Sequence, residues 1–212
     1  MNVGAQVQAL NDKAYYYHID ILDWHFAKNL CFSPDFVEQL RAITDVPLDV
    51  HLMVEGVDLE TIKIFLDAGS DIITFHHDGV SRNIFKYIDY VKSRGKKVGI
   101  VMDASLPLDA MRYYIDQLDL ITFLAVTAGF AGQKLIPPVL DKIREAHELR
   151  EKYGYKFETQ IDGGCTLDTI KEVTATNLDI VIVGKTLLFG LDKDAGKAWD
   201  MMEANFKAAL AK

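Results

Sequence analysis

Cysteine is scarce: Cys31 and Cys165 are the only two in 212 residues, and no Cys-x-x-Cys pair occurs. That excludes a disulfide-stapled scaffold and a thiolate zinc knuckle, and it suits a reduced, cytoplasmic setting. No apolar run approaches the ~20 residues needed to cross a bilayer. The opening "MNVGAQVQALNDK" lacks the basic start and apolar stretch of a signal peptide, so no membrane partner is expected. Basic residues are outnumbered, 23 Lys and Arg against 31 Asp and Glu, for a net charge of −8. A general nucleic-acid binder would be basic, so nucleic acid is not an expected partner. A local site for a small anion is still compatible with this charge. Linkers rich in Pro, Gly and Ser are missing, as are low-complexity blocks, and residues 1–212 are expected to form one domain.

What is present is an alternation of short β-rich apolar runs with longer helical patterns. The runs are Tyr15–Leu22, Leu48–Met53, Ile72–Phe75, Lys97–Met102, Leu120–Val126, Lys156–Ile161 and Ile180–Val183. Helices are predicted over Pro34–Ile43, Leu59–Ala68, Ser81–Arg94, Leu108–Gln117, Pro138–Lys152, Leu167–Ala175 and Asp194–Leu210. Their apolar residues recur at three-to-four spacing, as Ile84, Ile88 and Val91 do. Gly69, Gly95 and Gly154 stand where a left-handed helix cap belongs. Such alternation predicts a parallel sheet with crossover helices. Seven strand–helix units are one short of a closed eight-fold barrel, and the chain opens with a helical pattern, Val3–Asn11. The expected fold is therefore an α/β, (β/α)8 TIM-type barrel lacking its first strand. The competing open doubly wound sheet would more often show a glycine fingerprint after its first strand, and there is none. A missing stave leaves two unpaired edges, which predicts a homo-oligomer that shields them.

In a parallel barrel, active sites collect at the C-terminal strand ends. The stretch "AYYYHIDILDWHF" ends its greasy opening on His18 and Asp20, whose i, i+2 spacing puts both on one strand face. "PLDVHLMV" contributes His51 and Met53, and "FETQIDGGC" contributes Asp162. Two imidazoles and two carboxylates suit zinc, iron(II), manganese or cobalt. Plainer readings exist: a lone strand-end His is commonly a hydrogen-bonded structural residue, and an Asp there commonly caps the next helix. Asp23 can cap or brace its loop, and Trp24 and His25 can simply pack. Of His76 and His77, at most one can point inward. Three glycine turns, "AGFAGQ", "DGGCT" and "VGKT", each follow a strand, and such turns let backbone N–H groups approach a phosphate.

These segments, with "KKVGIVMD", "AMRYYI", "GFAGQKLIP", "LREKYGYKFE" and "IVGKTLLF", resemble the ribulose-phosphate 3-epimerase family, and within it the D-allulose-6-phosphate 3-epimerase branch. The resemblance runs from about Val3 to the C-terminus. It implies a (β/α)8 barrel with one divalent metal, zinc or iron(II), on His18, Asp20, His51 and Asp162. It also implies epimerisation at C3 of a phosphorylated sugar through an enediolate, with Asp20 and Asp162 as the two acid/base groups. Met53 would pack over the intermediate, and the phosphate would rest around Gly132, Gly163, Gly164 and Gly184. The chain departs from the family pattern in several places. The first strand and its substrate-contacting serine have no counterpart, the Asp-Gly-His element reads Asp23-Trp24-His25, two family methionines read Leu22 and Leu124, and Lys185 follows Gly184 in place of Ser or Thr. Lys185 can add charge to a phosphate contact or face solvent. Two other readings compete: a phosphate-binding decarboxylase of the orotidine monophosphate type, which favours an Asp/Lys network over paired histidines, and a degenerate paralogue that binds metal or sugar phosphate without turnover.

Overall fold

The computed structural model describes residues 2–211. The chain opens with helix α1 (Val3–Leu10). It then alternates β1 (Tyr17–Leu22), α2 (Pro34–Arg41), β2 (Leu48–Met53), α3 (Leu59–Asp67) and β3 (Ile72–His76). A single turn, α4 (His77–Val80), leads to α5 (Ile84–Ser93) and β4 (Lys97–Met102). β5 (Leu120–Leu124), α6 (Pro138–Tyr153), β6 (Glu158–Asp162), α7 (Ile170–Thr174), β7 (Ile180–Val181) and α8 (Ala195–Leu210) complete the order. Most of the predicted helices form, some of them shorter than predicted, as Ile84–Ser93 and Ile170–Thr174 are. Asp58 accepts a hydrogen bond from the Thr61 N–H at the start of α3, and Gly154 ends α6 at φ 71°.

One expected helix does not form. Residues 108–117 make two separate 3₁₀ turns, Leu108–Met111 and Ile115–Gln117. The buried residues Leu108, Met111 and Tyr114 recur every three positions, which is the 3₁₀ repeat and not the α repeat. Two turns were not predicted, α4 at His77–Val80 directly after β3 and a π-helical turn at Lys185–Phe189 three residues after β7.

All seven strands pair in parallel and in chain order, β1 to β7. Strands four places apart in a flat sheet would lie about 19 Å apart at ~4.8 Å per strand. Here Gln160 Nε2 on β6 donates to Asp49 Oδ2 on β2 at 2.7 Å. The sheet therefore curls until its ends face each other, as a barrel does. Among the described residues, β1 and β7 pair on one side only, so the ring is not closed by backbone. A small apolar cluster of Leu10, Leu188, Ala198 and Met202 fills the gap, with Tyr17 of β1 and Val183 beyond β7 packed on it.

Outward residues of the strands, such as Val50, Ile73 and Phe123, are fully buried against the helices. The inward residues stack in layers. At the base, Tyr15 and Tyr16 donate to the Glu158 carboxylate. Above them, Asp49, Thr74, Thr122 and Gln160 form a buried polar layer. Gly99 belongs to this layer because a Cβ there would stand 2.4 Å from Thr74 Oγ1.

Candidate metal centre and active site

The layer above the polar one holds the sequence-predicted site. His18 and Asp20 come from β1, His51 from β2 and Asp162 from the tip of β6. Pairing sets Asp20 beside His51 in register, and the curl brings Asp162 across to both. His51 Nδ1 lies 3.1 Å from Asp20 Oδ1 and 3.8 Å from Asp162 Oδ2. His18 Nε2 lies 3.4 Å from Asp20 Oδ1, 4.0 Å from Asp162 Oδ2 and 3.2 Å from His51 Nδ1. One donor atom from each residue thus falls within 4.8 Å of the others. Bonds of ~2.0–2.2 Å to a tetrahedral cation separate its ligand atoms by about 3.4 Å, so this donor set fits one divalent ion.

The outer ring nitrogens support the same arrangement. His18 Nδ1 is 2.7 Å from the buried Asp49 carboxylate, so its N–H is taken up there and Nε2 is left facing the cluster. Asp49 also accepts from Thr74 and Gln160. His51 Nε2 is 2.9 Å from His76 Nε2. Of the two adjacent histidines, His76 turns inward to His51, while His77 starts α4 and meets the Tyr114 hydroxyl.

Electrostatics split the two carboxyls. Burial pushes Asp20 up, but its close contacts with the His18 and His51 rings outweigh it and hold Asp20 well below the usual carboxylate range. Burial raises Asp162, and the neighbouring Asp20 charge adds to the rise. His18 is driven down by burial and up by the Asp49 and Asp20 carboxylates, which together win. Before any cation binds, the cluster therefore pairs an ionised carboxylate with a carboxyl that holds its proton more readily. Such a split is what acid/base work on one atom requires.

A cavity of about 350 Å³ opens above the cluster and is lined by Asp20, Met53, Asp162 and all three glycine turns. Gly132, Gly163, Gly164, Gly184 and Lys185 all face it. Gly163 and Gly164 adopt φ of 81° and 70°, and a Cβ on Gly164 would stand 2.6 Å from the Leu135 Cα, so this turn tolerates no side chain. Leu22 and Leu124 line the same wall. Trp24 does not line the cavity: its indole is 53% exposed, with Lys28 Nζ over the ring. Asp23 braces the loop after β1 by accepting from the backbone N–H groups of His25, Phe26 and Glu55. Cys165 also lines the cavity, but burial pushes its thiol up to about 12, so it is inert as a nucleophile.

Sequence reasoning singled out His76 only as one of a pair of which at most one could turn inward, and it missed the rest of the support for the cluster: Asp49, Gln160 and Asp103. Asp49 carried a readable signal, since it sits at i−2 from His51 on the same strand face inside a run that is otherwise apolar.

Comparison with known proteins bears on this architecture. A family model described as "Ribulose-phosphate 3 epimerase family" matches residues 1–188. Ribulose-phosphate 3-epimerase 2 of Cupriavidus necator is 36% identical over 183 residues, which is 84% of this chain and 75% of that protein. The ribulose-phosphate 3-epimerase of Escherichia coli K12 is 36% identical over 172 residues, covering 80% of this chain and 75% of its own. That of Bacillus subtilis is 35% identical over 171 residues, with 80% and 78% covered. Among solved structures, a tryptophan synthase α-subunit from Pyrococcus furiosus superposes with a TM-score of 0.69 at 12% identity, over 99% of this chain and 92% of that one. A 3-hexulose-6-phosphate synthase does so at 0.66 and 13%, over 98% and 94%. These distant likenesses bear on the fold alone, whereas the family match and the closer relatives decide membership: the chain belongs to the ribulose-phosphate 3-epimerase family.

Proposed function

We propose that this chain is a metal-dependent ketose-phosphate 3-epimerase. The observation that carries the reading is the meeting of His18, Asp20, His51 and Asp162 beneath a cavity whose rim carries three glycine turns. His18, Asp20, His51 and Asp162 hold one divalent cation, zinc or iron(II) by family likeness, with manganese or cobalt also fitting the donors. When bound, the cation supplies Lewis acidity to the oxygens beside the reacting carbon. Asp20 takes the C3 proton from one face. Asp162 delivers a proton to the other face, and the roles exchange in the reverse direction. Met53 covers the sugar, and amides around Gly132, Gly163, Gly164 and Gly184 receive the phosphate, with the Lys185 ammonium nearby.

The names of the relatives favour a pentulose, D-ribulose 5-phosphate interconverting with D-xylulose 5-phosphate. The allulose-type segments "LREKYGYKFE" and "IVGKTLLF" favour a second pair, D-allulose 6-phosphate and D-fructose 6-phosphate. A coupled epimerase assay on both pairs, run beside elemental analysis, tests the reading. Turnover that is lost on chelation and returns with zinc, iron(II), manganese or cobalt is expected. Stoichiometric metal with no turnover on either pair would instead identify a degenerate paralogue that only binds.

We also propose that the protein acts as a cytoplasmic homo-oligomer, because β1 and β7 each keep one edge without a backbone partner, which proteins normally cover. Light scattering is expected to give a mass at least double the 23.9 kDa of one chain. A monodisperse monomer would count against it.

A further inference from the structure

We propose that His76 and Asp103 are positioning residues that fix the direction of the His51 ring, so that its Nδ1 is free to bind the cation; this rests on the metal site proposed above. His51 Nε2 and His76 Nε2 lie 2.9 Å apart, and His76 Nδ1 lies 3.0 Å from Asp103 Oδ2. Two ring nitrogens at that distance share one proton, and the Asp103 carboxylate decides which ring supplies it. Asp103 only accepts, so the His76 proton belongs on Nδ1. His76 Nε2 then offers a lone pair, His51 must donate from Nε2, and the Nδ1 of His51 is left bare toward Asp20, Asp162 and His18. The reverse polarity would aim a His76 lone pair at a carboxylate. The chosen direction in turn points the His51 Nδ1 lone pair toward Asp20 Oδ1 at 3.1 Å, a contact that a cation between the two relieves, so this direction suits a metal ligand.

The surroundings fix the geometry further. His76 is 4% exposed, ends β3 and packs its ring 4.6 Å from that of Phe26. Asp103 follows β4, and the turn that carries it is tied to α6 by Lys142, which donates to the carbonyls of Asp103 and Ala104. The outer ring nitrogen of His18 leans directly on a carboxylate, whereas that of His51 reaches one through an intervening imidazole.

The test is zinc affinity, measured by competition with a chelating dye, for the full chain and for His76→Phe, His76→Gln and Asp103→Ala. Phenylalanine keeps the ring and removes the acceptor, and zinc affinity is expected to fall roughly 10–100-fold. Glutamine can accept from His51 and donate to Asp103, so it is expected to restore most of that affinity. Asp103→Ala, on a partly exposed residue, is expected to weaken zinc about tenfold and keeps the test valid should the His76 variants fail to fold. In the cobalt(II) form, the visible bands are expected to shift in His76→Phe and return in His76→Gln. In turnover, kcat is expected to fall with little change in KM for the sugar phosphate. Unchanged zinc affinity in both His76→Phe and Asp103→Ala, with wild type binding tightly, overturns the positioning pair alone. If wild type itself binds no zinc, the metal-site reading fails and this inference falls with it.

Discussion

Asp162→Asn is expected to lower kcat by about 10²–10⁴-fold, the range in which a positioned acid/base group contributes. The substitution keeps the shape and one oxygen donor, so the cation site is weakened and not erased, but an amide neither gives nor takes the proton. The variant also separates the two faces of the reaction. Asp20 keeps its place beside the His18 and His51 rings, at 3.4 and 3.1 Å, so it can still remove the C3 proton from the substrate epimer that presents it. In deuterated water, Asp162→Asn is therefore expected to wash label into one epimer while forming little of the other. Asp20→Asn is expected to show the opposite preference. Label entering both epimers equally in Asp162→Asn would end the assignment of the two carboxyls to opposite faces.

The second large effect is on stability. Asp49→Ala is expected to destabilise the fold by about 3–5 kcal/mol, the usual cost of removing one partner from a buried charged network. Asp49 is fully buried and accepts from Thr74 Oγ1, His18 Nδ1 and Gln160 Nε2, so alanine leaves three donors without an acceptor. At roughly 2–4 °C per kcal/mol for a chain of this size, the midpoint of thermal unfolding should drop by roughly 10 °C. A loss below about 1 kcal/mol would mean that water replaces the carboxylate and that this layer is not the sealed network described above. Asp49→Asn keeps one acceptor and should fall between the two.

The parts legible in the sequence were those where one periodicity dominates. β2 and β4 match their predicted bounds because nearly every residue in them is buried, on both faces of the sheet, even the polar Asp49 and His51. β1 begins two residues later than predicted because Tyr15 and Tyr16 reach out to Glu158 at the barrel base instead of pairing. The segment from Leu108 to Gln117 misled because a three-residue repeat of apolar positions resembles the three-to-four repeat over so short a stretch. At the site, i, i+2 alternation located His18 and Asp20 on one face, but the meeting of β1 and β2 with β6 depends on curl, which no local pattern encodes. The supporting residues were harder still. Asp103 bears on His51 only through His76, a contact chain across three strands and a turn that exists only once the sheet has formed.

Where β1 and β7 face each other, side chains alone do the joining, while every other neighbouring pair is laced by amides. Three of the four candidate ligands sit on the near side of that seam, and Asp162 sits on the far one. An ion gripped by all four would work like the buckle of a belt, so that cinching the hoop and capturing the ion become two descriptions of a single equilibrium.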